Sequence, residues 1–414
     1  MTTASTAPGP HRGMGFRQFV AFIAALMATN AMAIDIMLPA LPEIGASLGI
    51  PHGNYAQWVI TAYLLGFGGA QIVYGTLSDR FGRRPVLLFG IVLYTLAGAA
   101  AAFASSFEVM MVARVVQGIG AAATRVLATS IVRDCYSGRQ MARVMSLVFI
   151  VFLAVPILAP SIGQLIMLAA PWRAIFGGLT VFGAVLVVWM LARLPETLHP
   201  EDRVPITLAG VTHAFGRVFA SRTTMGYMLA MTMVMGGLFG YINSAQQIFA
   251  DAFGAPHLLT TVFAAVAAFM ALASLLNARI VGRLGMHRVS HAALIGFIAI
   301  SLLHAGLVLA GHESLLAFSI AQAGLMFCFG LVASNFNAIA MEPVGHIAGT
   351  ASSLLGFVST VGGALLGFLI GQNFDGTTLP LALGFALLGT AALAIVLIVE
   401  RGRLFRGGRV TPAE

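Results

Sequence analysis

Three charged side chains stand inside long apolar runs of this 414-residue sequence: Asp35, Arg114 and Arg125. A charge held in hydrocarbon costs about 2.5–3.5 kcal/mol on insertion scales, so each should face a partner or a polar cavity. Asp35 is the one acid well inside any run, which makes it the leading protonation site. If the runs are helices crossing a membrane in alternate directions, Asp35 and Arg114 reach a similar depth. Burial favours the neutral carboxyl and a neighbouring guanidinium favours the charged one. Through that opposition a proton and a ligand compete for one site. A static structural pair is the alternative. Arg125 follows Arg114 by three helical turns, hence on about the same face and about 16 Å along the axis. It either meets an anionic ligand group, or bonds backbone carbonyls, or snorkels toward water.

Uncharged polar side chains in the runs extend the candidate binding set: Asn30, Tyr63, Gln117, Tyr241, Asn243, Gln246, Gln247, Asn335 and Asn337. Such groups either face water and a ligand or join helices together. His287 and His291 have the i, i+4 spacing of a metal pair, but arginines flank them and no acid follows, so no metal site is expected. His304, inside a run, either titrates or packs as a hydrogen-bonded side chain. There is no phosphate loop, nucleophile elbow or pair of intramembrane carboxylates, so neither ATP-driven pumping nor a cofactor is indicated. A membrane enzyme would need catalytic groups clustered at one depth, and Asp35, Arg114 and Arg125 are too dissimilar and too spread for that.

The elements that must position these residues follow from composition. Hydrophobic residues make up 59% of the chain and charged ones 9%, against about 45–50% and about 25% in an ordinary soluble domain. A water-soluble globule, a nucleic-acid binder and a disordered scaffold are excluded. The apolar runs exceed the short alternating segments of a β-barrel, so the chain is read as an all-α membrane protein. Twelve spans are expected, at roughly 17–41, 55–77, 85–105, 108–132, 141–168, 172–193, 223–249, 257–281, 289–310, 314–340, 345–371 and 378–399. They divide into bundles at 17–193 and 223–400 joined by a polar linker, 194–222, with tails at 1–16 and 401–414. Cys135 and Cys328 lie far apart and imply no disulfide framework.

All 22 basic residues are arginine. With the N-terminus inside, 19 of them fall on cytoplasmic segments, Arg173 alone on an outer loop, and Arg114 and Arg125 within spans. This asymmetry sets both termini in the cytoplasm. The first run is too long for a cleaved signal and is read as a retained helix. A weak internal repeat places LSDRFGRRPV (77–86) on IVGRLGMHRV (280–289), with Gly82 on Gly285. Together with the six-plus-six count it suggests two related halves around a central axis, a transporter architecture.

The loop GTLSDRFGRRP, Gly75–Pro85, matches G-x-L-x-D-R-x-G-R-[KR] and resembles the loop between the second and third spans of the major facilitator superfamily. Its Gly75, Asp79, Arg80, Gly82, Arg83 and Arg84 are read as a conformational latch, with Asp79 holding neighbouring arginines or a helix N-terminus of the same half. In the second copy Gly282 replaces the acid, so any latch there is weaker. RVVQGIGAA (Arg114–Ala122) resembles the superfamily's R-x-x-Q-G segment. AVPILAPSIGQ (Ala154–Gln164) resembles its antiporter motif, with Pro160 and Gly163 retained and Pro156 and Pro160 expected to kink the helix. IDIMLPALPEI, IVRD and NAIAMEPVGHIAGTASS are similar to segments of the Bcr/CflA drug exporters, which include amphenicol exporters. The resemblance covers essentially the whole chain. It implies a monomeric twelve-helix antiporter of the bacterial inner membrane that exports small amphipathic drugs against protons, with phenicol or bicyclomycin-like compounds among the substrates. A proton-coupled metabolite exporter or symporter on the same fold is the alternative.

Overall fold

A computed structural model of the chain describes residues 13–50, 53–203 and 208–405. Within them, twelve helical segments are long and apolar enough to cross a membrane. The chain separates into two compact units, Met1–Ile50 with Ala62–Gly210 and Pro51–Thr61 with Val211–Glu414. The break near residue 210 falls inside the stretch read as a linker. That stretch is not wholly irregular: it carries a helix, Leu208–Ala220.

The first unit is built on α1 (Phe16–Asp35), the short α2 (Leu41–Ser47), α3 (Trp58–Phe81), α4 (Arg83–Ala102), α5 (Phe107–Cys135), α6 (Gly138–Ala169) and α7 (Arg173–Arg193). α4 packs on α5 and α7, and α1 packs on α5 and α6. Glycines bring backbones together in lipid, where no water drives association. A Cβ at Gly118 of α5 would collide with the carbonyl of Tyr63 on α3.

The first helix ends earlier than its apolar run predicts. α1 stops at Asp35, and a 3-10 turn, Leu38–Ala40, leads into α2. Pro39 and Pro42 supply no backbone N–H to continue the ladder, so helix gives way to turn ahead of them. Asp35 is thereby the last helical residue rather than one buried in mid-helix. α6 continues as one helix of 32 residues with Pro156 and Pro160 inside it.

The second unit contains α8 (Leu208–Ala220), α9 (Arg222–Gln247), α10 (Leu259–Leu284), α11 (Met286–Leu309), α12 (Leu315–Met341), α13 (Ala348–Gln372) and α14 (Leu379–Val399). α9 is its hub, packing on α12, α13 and α14. Ser221 and Ser314 cap α9 and α12, each accepting the backbone N–H three residues on, at 3.3 and 3.2 Å. The turn at 53–57 belongs to this unit and is tied down by amides. The Gln57 amide donates to Gln247 Oε1 at 2.5 Å and to the Gly371 carbonyl at 3.0 Å, and Asn54 donates to the Gln372 carbonyl at 3.1 Å.

The sequence repeat has a backbone counterpart. Gly82, between α3 and α4, has φ +98 and ψ 158; Gly285, between α10 and α11, has φ +83 and ψ 151. Both lie in a region that only glycine occupies without strain. In each copy one glycine reverses the chain between two long helices.

Candidate functional site

Two polar clusters organise the first unit. The first centres on Arg83 at the start of α4, only 3% exposed. Its guanidinium donates to Asp79 Oδ1 at 2.5 Å, to Ser78 Oγ at 2.8 Å and, through Nε, to Asp134 Oδ2 at 3.0 Å. Glu196, just beyond α7, closes the same cluster. Its carboxylate accepts the backbone N–H groups of Arg83 and Arg84 at 2.8 and 3.1 Å, capping α4 where an anion is favoured. A Cβ on Gly82 would stand 2.5 Å from Glu196 Oε2, so a larger residue there would push the capping carboxylate aside in addition to straining φ. Gly75 contributes its carbonyl to Ser78 Oγ. Arg80 and Arg84 stay peripheral, Arg80 over the Phe81 ring and Arg84 reaching the Leu191 carbonyl at 3.3 Å. Of the two partners offered to Asp79 by the sequence, the structure selects an arginine, its own i+4 neighbour.

The second cluster lies within the spans. Arg114 is fully buried on α5. It donates to Gln117 Oε1 at 2.7 Å and to the Ala33 carbonyl of α1 at 2.9 Å, with its guanidinium carbon 4.4 Å from the centre of the Tyr63 ring. The Tyr63 hydroxyl donates to Asn30 Oδ1 at 3.1 Å. Asn30, Tyr63, Arg114 and Gln117 therefore form one connected set across α1, α3 and α5. Gln117 keeps a buried amide nitrogen with no hydrogen-bond partner.

Asp35 stands two residues beyond the carbonyl that Arg114 holds, but the two do not form an ion pair. Asp35 is 4% exposed, and its carboxylate makes no hydrogen bond or salt bridge to the described residues. In place of an ion pair the structure has a cation bound to backbone, amide and ring, and an acid two residues further along α1 without a counter-charge. α6 closes this corner. A Cβ on Gly163 would collide with the carbonyl of Ile36, next to Asp35, so the antiporter-like segment touches the end of α1.

Other expected residues lie apart from this set. Arg125 is exposed, with its guanidinium 5.7 Å from the Phe152 ring centre of α6, unlike the buried Arg114. In the second unit Asn335 donates to Asn277 Oδ1 and to the Leu331 carbonyl, both at 2.7 Å, as a helix-joining amide does. Asn337 is exposed and bonds the Ala333 carbonyl of its own helix. Gln246 is half-buried. Tyr241 stacks on Phe263, and its buried hydroxyl has no partner; both side-chain polar atoms of Asn243 are likewise buried and unpartnered. Gln247 belongs to the amide group around Gln57.

Sequence reading missed several partners. Glu196 lies in no motif, and only its position as an acid after the sixth span marked it. Glu313, between α11 and α12, is held at 2.7 Å by His304 and at 2.5 Å by Thr378. His304 is thus hydrogen-bonded to Glu313, and its Nδ1 is buried without a partner among the described residues. His291, flagged for metal spacing, instead meets the Tyr227 hydroxyl at 2.9 Å and accepts the Phe405 N–H at 3.0 Å. No group of three metal-binding side chains occurs among the described residues.

Comparison with known proteins agrees with this architecture. A multidrug resistance protein D of Escherichia coli is 30% identical over 350 residues, covering 83% of this chain and 86% of that protein. The bicyclomycin resistance protein homolog of Haemophilus influenzae is 28% identical over 394 residues, 94% of this chain and 98% of its own. The MFS-type transporter YdgK of Bacillus subtilis is 32% identical over 373 residues, covering 88% and 91%. Among solved structures, the E. coli xylose transporter XylE, in a partially occluded inward-open conformation, superposes with TM-score 0.75 at 11% identity, over 95% of this chain and 99% of XylE. The human organic anion transporter MFSD10 superposes with TM-score 0.66 at 19% identity, over 93% of this chain and all of its own. These likenesses carry the fold. The model of the Major Facilitator Superfamily matches residues 21–367. With twelve spans, the loop built on Arg83 and relatives along nearly its whole length, this chain belongs to the Major Facilitator Superfamily, a family of transporters rather than enzymes.

Proposed function

We propose that this chain exports small amphipathic drugs across the bacterial inner membrane in exchange for protons, with both termini in the cytoplasm. The observation that carries the reading is Asp35, an acid within a span, unpaired, two residues from the carbonyl that Arg114 occupies. A buried carboxylate without a counter-charge gains by taking up a proton or a cationic or hydrogen-bonding ligand. One site that takes either, but not both, couples their movements. The resistance names of the two relatives above support a drug as the exported compound.

In this reading drug binds from the cytoplasm while Asp35 is ionised. Proton entry from outside discharges the carboxylate, and the drug leaves as exposure alternates between the two sides of the membrane. Arg114, Gln117, Tyr63 and Asn30 stand behind Asp35, Arg114 holding the Ala33 carbonyl near it, and reach the drug when the spans rearrange, while the Arg83 cluster holds the ends of α3, α4 and α5 in register. A potential of 100 mV supplies about 2.3 kcal/mol per net charge moved, enough for about a fifty-fold gradient.

The test is drug flux in proteoliposomes under an imposed pH gradient, with phenicols, bicyclomycin-like compounds and lipophilic cations, wild type against Asp35→Asn. Loss of gradient-driven flux in the variant, with drug binding weakened and no longer dependent on pH, is the expected result. Undiminished coupled flux would remove Asp35 from the coupling step. Absence of flux for every compound in wild type would favour a metabolite substrate instead.

A further inference from the structure

The two ends of α3 are held by different chemistry. Its first residues, 58–61, belong with the turn at 53–57 to the second unit, and Ala62 onward belongs to the first. At its last turn, Arg83 binds Ser78 and Asp79. At its start, the hydrogen bonds are made by neutral amides.

Those amides close a ring within the second unit. Gln57 Nε2 donates to Gln247 Oε1, and Gln247 Nε2 donates in turn to Asn54 Oδ1 at 2.5 Å. Asn54 Nδ2 reaches the carbonyls of Gln372 and Phe374 at 3.1 and 3.2 Å. Gln372 Nε2 returns to the Asn54 carbonyl at 2.7 Å and to Gln57 Oε1 at 3.3 Å. Beside the ring, Trp58 packs on Phe368 of α13 with ring centres 4.2 Å apart. Gln57 is only 1% exposed, so the closed ring keeps water from it. Glycine makes room for the ring, since a Cβ on Gly371 would collide with Gln57 Oε1.

Relative bond strength decides which end of α3 yields. The bonds from Arg83 to Asp79 and Asp134 are charge-assisted, and such bonds are about twice as strong as neutral ones. A neutral amide exchanges a protein partner for water at small net cost, so water can open the ring and the ring can close again. No member of the ring is charged, so opening strands no buried charge.

We propose that Asn54, Gln57, Gln247 and Gln372 form a reversible clasp on the start of α3, which breaks and re-forms in each transport cycle while the Arg83 end stays closed. The inference rests on the proposed export, because a transport cycle is what requires these bonds to break.

The first measurement needs no substrate. Thr61, one turn on from Gln57, is fully buried. The full chain carrying Thr61→Cys is reconstituted in liposomes and offered a membrane-impermeant thiosulfonate, with the chain lacking that substitution as background for the buried Cys135 and Cys328. Reaction is expected to be slow but to run to completion, at a rate set by opening of the clasp. Gly371→Ala, which displaces the Gln57 side chain, should speed it about tenfold, the factor for one or two lost hydrogen bonds. Gly349→Ala on the same helix, with nothing near its Cβ, should leave the rate unchanged. The second measurement locks the clasp. Asn54→Cys and Gln372→Cys are joined by a cleavable bis-thiosulfonate, and flux of ethidium and of chloramphenicol under a pH gradient is followed before and after dithiothreitol. The joined protein should lose nearly all flux and regain it on reduction. Undiminished flux in the joined protein would overturn the inference, since a contact that never opens tolerates the link. So would a Thr61→Cys that never reacts, or one that reacts equally fast with and without Gly371→Ala. Absence of flux in the wild type would count against the export reading, and the thiol rates would still decide whether the clasp opens.

Discussion

Arg83 serves Asp79 through one nitrogen and Asp134 through another, whereas a lysine's three donors share a single nitrogen and do not reproduce that planar fork. Arg83→Ala leaves two carboxylates facing each other without a cation. The expected loss is about 2–3 kcal/mol, less than for a fully buried pair because Asp79 is half exposed. It should appear as a lower Tm of the purified protein, with Arg83→Lys recovering only part. An unchanged Tm for Arg83→Ala would show that the cluster contributes no stability. The paired glycines offer a sharper comparison. Gly82→Ala meets both a disallowed φ and the Glu196 carboxylate, whereas Gly285→Ala meets the φ alone, since nothing lies near its Cβ. Both should destabilise by about 1–3 kcal/mol, with Gly82→Ala the more severe. Thermal unfolding of the two variants side by side checks the order, and equal losses would mean that Glu196 yields freely.

At the scale of elements, the contact between α6 and the end of α1 is the one that positions Asp35. Gly163→Ala inserts a methyl group against the Ile36 carbonyl, which is backbone and cannot rotate away. The expected cost is about 1–3 kcal/mol, together with a displaced Asp35. Under the proposed coupling, flux driven by a pH gradient should fall more than drug binding does. Equal retention of both would separate α6 from the coupling site. The apolar runs made the twelve spans legible, because length and hydropathy alone decide whether a helix fits a bilayer. They did not reveal that α1 stops at Asp35. An apolar run is hydrophobic on both sides of such a break, and the prolines that cause it lie a few residues further on.

For the whole molecule, the arginine asymmetry yields a prediction about orientation. Cys135 and Cys328 are buried, so a cysteine placed on an exposed loop reports almost alone. In intact cells a membrane-impermeant maleimide should label Asp375→Cys and leave Arg139→Cys untouched until the membrane is permeabilised. The opposite pattern would invert the topology and move the Arg83 cluster to the outer face. Both positions are exposed, so accessibility to the reagent follows the side of the membrane alone.

Composition and the apolar runs determined by themselves that this is a twelve-span helical membrane protein, and the loop at 75–85 supplied its resemblance to the Major Facilitator Superfamily. They did so because the bilayer imposes one length and one polarity on every span, and because that loop needs its glycine and its charges in fixed order. They also singled out Asp35 and Arg114, since any charge in a span is costly enough to stand out. What they left undecided is who pairs with whom. Glu196 caps a helix more than a hundred residues away, Arg114 binds a carbonyl and an amide instead of the acid beside it, and Glu313 joins His304 to Thr378. Such pairings depend on ångström-scale approach between helices distant in sequence, and only the packed chain fixes those distances.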